Sequence, residues 1–144
     1  YRGLRMSDSF YKQLTAILKR HEGTELKPYR CTEGFLTLGI GRNLETKGIS
    51  EDEAEYLLRN DIEEVVAALN DRTPWWNNLP DHKRIVLASM AFQLGVGGLL
   101  KFQHMLAAAE DGDDNEVVAQ MRDSLWHRQT TARAEELARL WTGP

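Results

Sequence analysis

The chain has 144 residues, 42% of them apolar and 28% charged, with a formal net charge of -4. That length fits one domain, or one domain in two lobes, and the composition excludes an intrinsically disordered chain. The single cysteine, Cys31, excludes an internal disulfide framework and a cysteine-based structural zinc site. The longest apolar stretch, Ile85 to Phe92, is broken by Ser89 and falls well short of the ~20 residues that span a bilayer, so no membrane insertion is expected. The chain opens on Tyr1, with Met6 as a candidate start and no charged-then-apolar leader in view. Charge is unevenly spread: residues 1–47 carry 9 Lys and Arg against 5 Asp and Glu, while residues 48–71 carry 1 against 8. A weakly acidic total argues against a nucleic-acid partner, which needs a sustained basic surface. The basic first third suits an anionic polymer instead.

Phe10, Leu14, Ile17, Leu18 and His21 share a helical stripe behind Ser7 or Ser9 as N-cap, and Gly23 gives the stop. From Tyr29 to Leu44 the helical spacing disappears. Thr32-Glu33-Gly34-Phe35 reads as a turn between two short strands, and Leu36 to Ile40 alternates as a strand does. Ser50 with Glu53 forms a capping-box pattern, after which Ala54, Leu57, Leu58, Ile62, Val65, Val66 and Leu69 repeat at helical spacing until Pro74. Further helices are expected at about 81–94, 99–109, 113–124 and 130–141. Helix, small sheet, long helix and helical cluster make an α+β fold, mainly α, with segregated parts. Trp75 and Trp76 read as packing at the end of the long helix, and the acidic run from Glu110 to Glu116 as a solvated turn and helix start.

Glu22 is where local rules and sequence disagree. A carboxylate in the last helical turn faces the negative end of the macrodipole, at a cost of up to ~1 kcal/mol. Such a conflict fits either a solvent-facing glutamate that tolerates the penalty or a residue kept for a purpose other than helix stability. The residues that follow, His21-Glu22-Gly23-Thr24-Glu25-Leu26-Lys27-Pro28-Tyr29-Arg30-Cys31-Thr32-Glu33-Gly34-Phe35-Leu36-Thr37-Leu38-Gly39-Ile40-Gly41-Arg42, resemble the signature of the T-even bacteriophage lysozyme family of glycoside hydrolases. The likeness resumes at Ala91-Phe92-Gln93-Leu94-Gly95, Lys101-Phe102 and Trp126-x-x-Gln129-Thr130-x-x-Arg133-Ala134, and covers roughly residues 10–142.

The resemblance implies a single lysozyme-like domain, with about 22–60 as a small β-containing lobe and about 1–21 and 61–144 as a helical lobe, and a cleft between them. It implies an endolysin-type muramidase that hydrolyses, with inversion, the β-1,4 bond between N-acetylmuramic acid and N-acetylglucosamine of bacterial peptidoglycan. Glu22 matches the catalytic acid and Thr37 the water-positioning threonine. Cys31 stands where an aspartate is best known, so an obligatory carboxylate nucleophile is absent. Either Cys31 and Thr37 orient the water together, with the sulfur as a weak base, or Thr37 does most of it. A thiol at such a position is also open to oxidation.

Phe92, Gln93, Gln129 and Arg133 match substrate-side positions, whereas Asn43 and Gln120 align with sugar contacts but differ in residue type. Without the likeness, Phe92 reads as core and Arg133 as a solvated helix residue. Met105, where the family has a small polar residue, reads as packing. No cofactor or metal is implied, since the four histidines show no paired spacing. The family implies a monomer, made in the host cytoplasm and acting on periplasmic peptidoglycan or carried in a virion. The rival reading is a weak or inactive peptidoglycan-binding module of the same fold, and a third is transglycosylation.

Overall fold

The structure, a computed structural model, describes residues 7–143; the candidate start at Met6 lies outside them. Ser7 caps the first helix, its hydroxyl accepting from the Phe10 amide at 3.2 Å, and α1 runs Asp8–Glu22 until Gly23 donates back to the Lys19 carbonyl. None of the α1 side chains is buried. Three strands follow, β1 (Glu25–Arg30), β2 (Leu36–Gly39) and β3 (Arg42–Asn43), in one antiparallel sheet ordered β1-β2-β3. Arg30 pairs with Leu36 and Tyr29 with Thr37. The expected turn closes through Gly34 N–H to the Cys31 carbonyl at 2.8 Å and Cys31 N–H to the Phe35 carbonyl at 3.0 Å. Arg30 braces it, donating to both the Gly34 carbonyl and Glu45, whose same oxygen accepts the Leu36 amide.

The long helix α2 (Glu51–Arg72) begins with the capping box anticipated from Ser50 and Glu53. Ser50 Oγ accepts the Glu53 amide at 3.1 Å and Glu53 Oε1 accepts the Ser50 amide at 2.9 Å. Arg42 adds a third arm, donating to the same Glu53 oxygen at 2.8 Å and to the Gly48 carbonyl. β3 is thereby tied to the start of α2. Arg42, foremost, and the Ser50 amide hold the Glu53 carboxyl down to about 2.

A carboxyl depressed on folding stabilises the folded state above its ordinary range near ~4.3, and that contribution is lost as pH falls through about 2. Glu53→Gln is therefore expected to speed amide exchange across Leu36–Leu44 at pH 6, with the difference from wild type closing towards pH 2. An unchanged difference over that range would refute the coupling.

The described chain divides into two compact units, the first ending at Ala54 and the second beginning at Glu55. In the second unit a 3-10 turn (Pro74–Asn78) leads to α3 (Asp81–Leu100), α4 (Gln103–Asp111), α5 (Asp114–Arg122), α6 (Leu125–Gln129) and α7 (Thr131–Trp141). α3 is longer than the expected 81–94, because the chain leaves helical geometry only at Gly95 (φ 77°, ψ 156°) and resumes at once. The next helix accordingly starts at Gln103 rather than near 99. By length and composition α3 is apolar enough to cross a membrane. Its Val86, Leu87, Met90, Ala91 and Leu99 nevertheless belong to the core, with Leu69, Met121 and Trp141.

Trp76 is buried in that core with its indole N–H on the Arg84 carbonyl, and Trp75 packs beside it, so both serve packing. The Trp141 indole donates to Asp114, which also takes both bonds from Lys83, pinning the last helix. Asp113 caps α5 by accepting the Glu116 amide, so the acidic run is a helix start. The α+β class, mostly helical with one small antiparallel sheet, is as expected.

Candidate functional site

Glu22 is the last residue of α1 and is exposed. Lys19, Arg20 and His21 occupy the same turn, supplying the cations that a helix C-terminus favours, so Glu22 alone opposes the dipole. Its side chain lies against the turn that follows β2. A Cβ placed on Gly41 would sit 2.8 Å from Glu22 Oε2 and 3.0 Å from its Cδ. Gly41, just before the paired Arg42, thus borders the carboxyl group.

Cys31 begins the β1–β2 turn and is half-buried, while Thr37, on β2, is only 3% exposed. The Thr37 side chain is close enough to help lower the Cys31 thiol. The Thr37 hydroxyl also reaches the Phe35 carbonyl at 2.9 Å. A hydrogen bond from the Glu33 backbone is the main cause holding the Cys31 thiol below its ordinary value. The Phe35 backbone and Thr37 add to it, against desolvation and the Glu33 charge. Hydrogen bonds to the charged form are what favour a thiolate.

Asn43 pairs with Thr37 across β2 and β3, but its side-chain oxygen accepts the Thr46 amide at 3.1 Å and shapes the following turn. Its amide nitrogen is left to donate. Glu22, Cys31, Thr37 and Asn43 all fall in the first unit.

The remaining sequence-predicted residues fall in the second unit. Gln93, on α3, is fixed by its oxygen, which accepts the Trp126 indole N–H at 2.9 Å, and Phe102 meets the Trp126 ring edge-on. That bond leaves both N–H donors of the Gln93 carboxamide unused. Phe92 is 45% exposed, which overturns the core reading its apolar surroundings favoured, and it borders an apolar groove of about 320 Å3 with Ile62 and Ile85. Gln120 donates to Glu116 at 2.7 Å and lines a separate depression of about 250 Å3 with Lys101, His104, Asp123 and Ser124. Met105 is buried and packs. Gln129 ends α6 and Arg133 lies on the first turn of α7, both exposed.

Two participants went unseen in the sequence. Arg42 carried no signal beyond its place after Gly41, and Gly41 itself stood only as part of a Gly-x-Gly pattern. The Arg122–Glu135–His127 cluster was equally silent: Arg122 and His127 both bind Glu135, whose carboxyl they hold down to about 2.

The family profile described as phage lysozyme matches residues 19–140. The chain is 32% identical over 152 aligned positions to the pre-baseplate central spike protein Gp5 of Enterobacteria phage T4, covering 86% of this chain and 26% of that protein. The chain therefore spans about a quarter of that relative's length. A probable T4-type lysozyme 2 of Dictyostelium discoideum is 27% identical over 86% of this chain and 90% of its own. An endolysin of Acyrthosiphon pisum secondary endosymbiont phage 1 is 38% identical over 56% of each.

Proposed function

This chain belongs to the phage lysozyme family, which makes it a glycoside hydrolase of lysozyme type, and we propose that it cleaves the β-1,4 bond between N-acetylmuramic acid and N-acetylglucosamine with inversion. Glu22 gives its proton to the glycosidic oxygen as the C–O bond breaks. Water attacks the anomeric carbon from the opposite face, and its proton passes to the Cys31 thiolate, which becomes the thiol. Thr37 orients the water. Inversion needs room for water between acid and base, which a nucleophilic carboxylate would not leave. A sulfur base beside a hydroxyl suits this route without a covalent glycosyl intermediate.

The observation that supports the reading best is that the half-buried Cys31, with its lowered thiol, and the buried Thr37 lie in the same unit as Glu22. Phe92, Gln93, Gln120, Gln129, Arg133 and Asn43 are assigned to glycan and stem-peptide contacts. The Gln93 carboxamide, its oxygen held by Trp126, is the best prepared of them. The partner is peptidoglycan reached from the host cytoplasm or from a virion, and lysis of the host is the outcome.

Proton NMR of freshly cleaved soluble peptidoglycan tests this directly. Inversion of a β bond yields the α-anomer first, in hydrolysed chains with a reducing end. An initial β-anomer would overturn the inverting route, an anhydro-sugar would replace hydrolysis by transglycosylation, and no cleavage at all would leave a binding module.

A further inference from the structure

We propose that Gly41 is a positioning residue for the Glu22 carboxyl group, its bare backbone fixing where that group can rest. The inference rests on the reading of Glu22 as the acid. Glu22 is an exposed side chain at a helix end, and a glutamate with three rotatable bonds loses appreciable entropy when confined. Something must keep the proton donor in one place. A Cβ at Gly41 would lie 2.8 Å from Oε2, 3.0 Å from Cδ and 3.1 Å from Cγ, so three successive atoms of Glu22 run flat across this glycine. No side chain fits between them.

The hairpin holds a built-in control. Gly39 and Gly41 both have positive φ, +69° and +72°, a conformation in which L-residues are strained. A Cβ at Gly39 would meet nothing within 4 Å. Backbone strain thus explains both glycines, whereas contact with Glu22 explains Gly41 alone. The crowded atoms are moreover the free end of a flexible side chain, so a methyl at position 41 displaces the carboxyl rather than the sheet. Misplacing a reacting group by about 1 Å can cost on the order of 100-fold in rate.

The test compares Gly41→Ala, Gly39→Ala and Glu22→Gln on soluble peptidoglycan oligomers, with Tm measured alongside. The two alanine variants are expected to lose similar Tm, while kcat falls about 10- to 100-fold in Gly41→Ala and less than about threefold in Gly39→Ala, with KM little changed in either. A purely structural role would move both variants together, and equal kcat losses overturn the proposal. If Gly41→Ala does not fold, Gly41→Asn is read by the same criteria, since asparagine tolerates positive φ while keeping the Cβ. Glu22→Gln separates the two layers of argument: full activity there overturns the acid assignment itself, whereas an inactive Glu22→Gln beside a Gly41→Ala no worse than Gly39→Ala overturns only the positioning role.

Discussion

Glu22→Gln is expected to lower peptidoglycan hydrolysis by about 10²- to 10⁴-fold, the range a positioned proton donor contributes. The change keeps the shape of the side chain and removes only the transferable proton. Stability should not fall with it. Glu22 is exposed and opposes the helix dipole, so a neutral amide there relieves a small electrostatic penalty. An inactive protein of equal or slightly higher Tm is therefore the expected combination, read from turbidity loss of permeabilised Gram-negative cells and from thermal melts. Activity equal to wild type would remove Glu22 from the mechanism, and with it the family-based assignment of the acid.

The same residue shows what was legible in the sequence. Glu22 stood out because an acid at the negative end of a helix breaks a local rule, and α1 and α2 were legible because Ser7, and Ser50 with Glu53, make the bonds their spacing promised. Gly95 was misleading for the opposite reason. A glycine ordinarily ends a helix, but here a single non-helical residue interrupts α3 and the turns beyond it continue. β3 and α6, of two and five residues, are too short for any period to show. α6 had only Ser124, which accepts the His127 amide, to announce it.

At the site, position in a motif identified Cys31 and Thr37, but what brings them near each other is the register of Arg30 with Leu36 and the turn between them. No one-dimensional pattern encodes that. Gly41 is harder still, since what matters there is the absence of a side chain.

Cys31 and Thr37 should behave as one unit in kinetics. On the proposed mechanism, Cys31→Ala removes the proton acceptor and Thr37→Val the hydroxyl that orients the water. Each is expected to lower kcat/KM by about 100-fold. Because the proposed mechanism has the two side chains act on the same water, the double variant should lie within a few-fold of the worse single variant rather than at the product of the two losses. Thr37→Val preserves volume at a site only 3% exposed, so a catalytic loss there is not accounted for by a cavity. Cys31→Asp is the complementary case: a carboxylate accepts the same proton, and activity should stay within about tenfold of wild type. Multiplicative losses in the double variant would mean that the two residues act at separate steps. A Cys31→Ala protein as active as wild type would leave Thr37 to position the water alone, with the sulfur beside it serving only the turn.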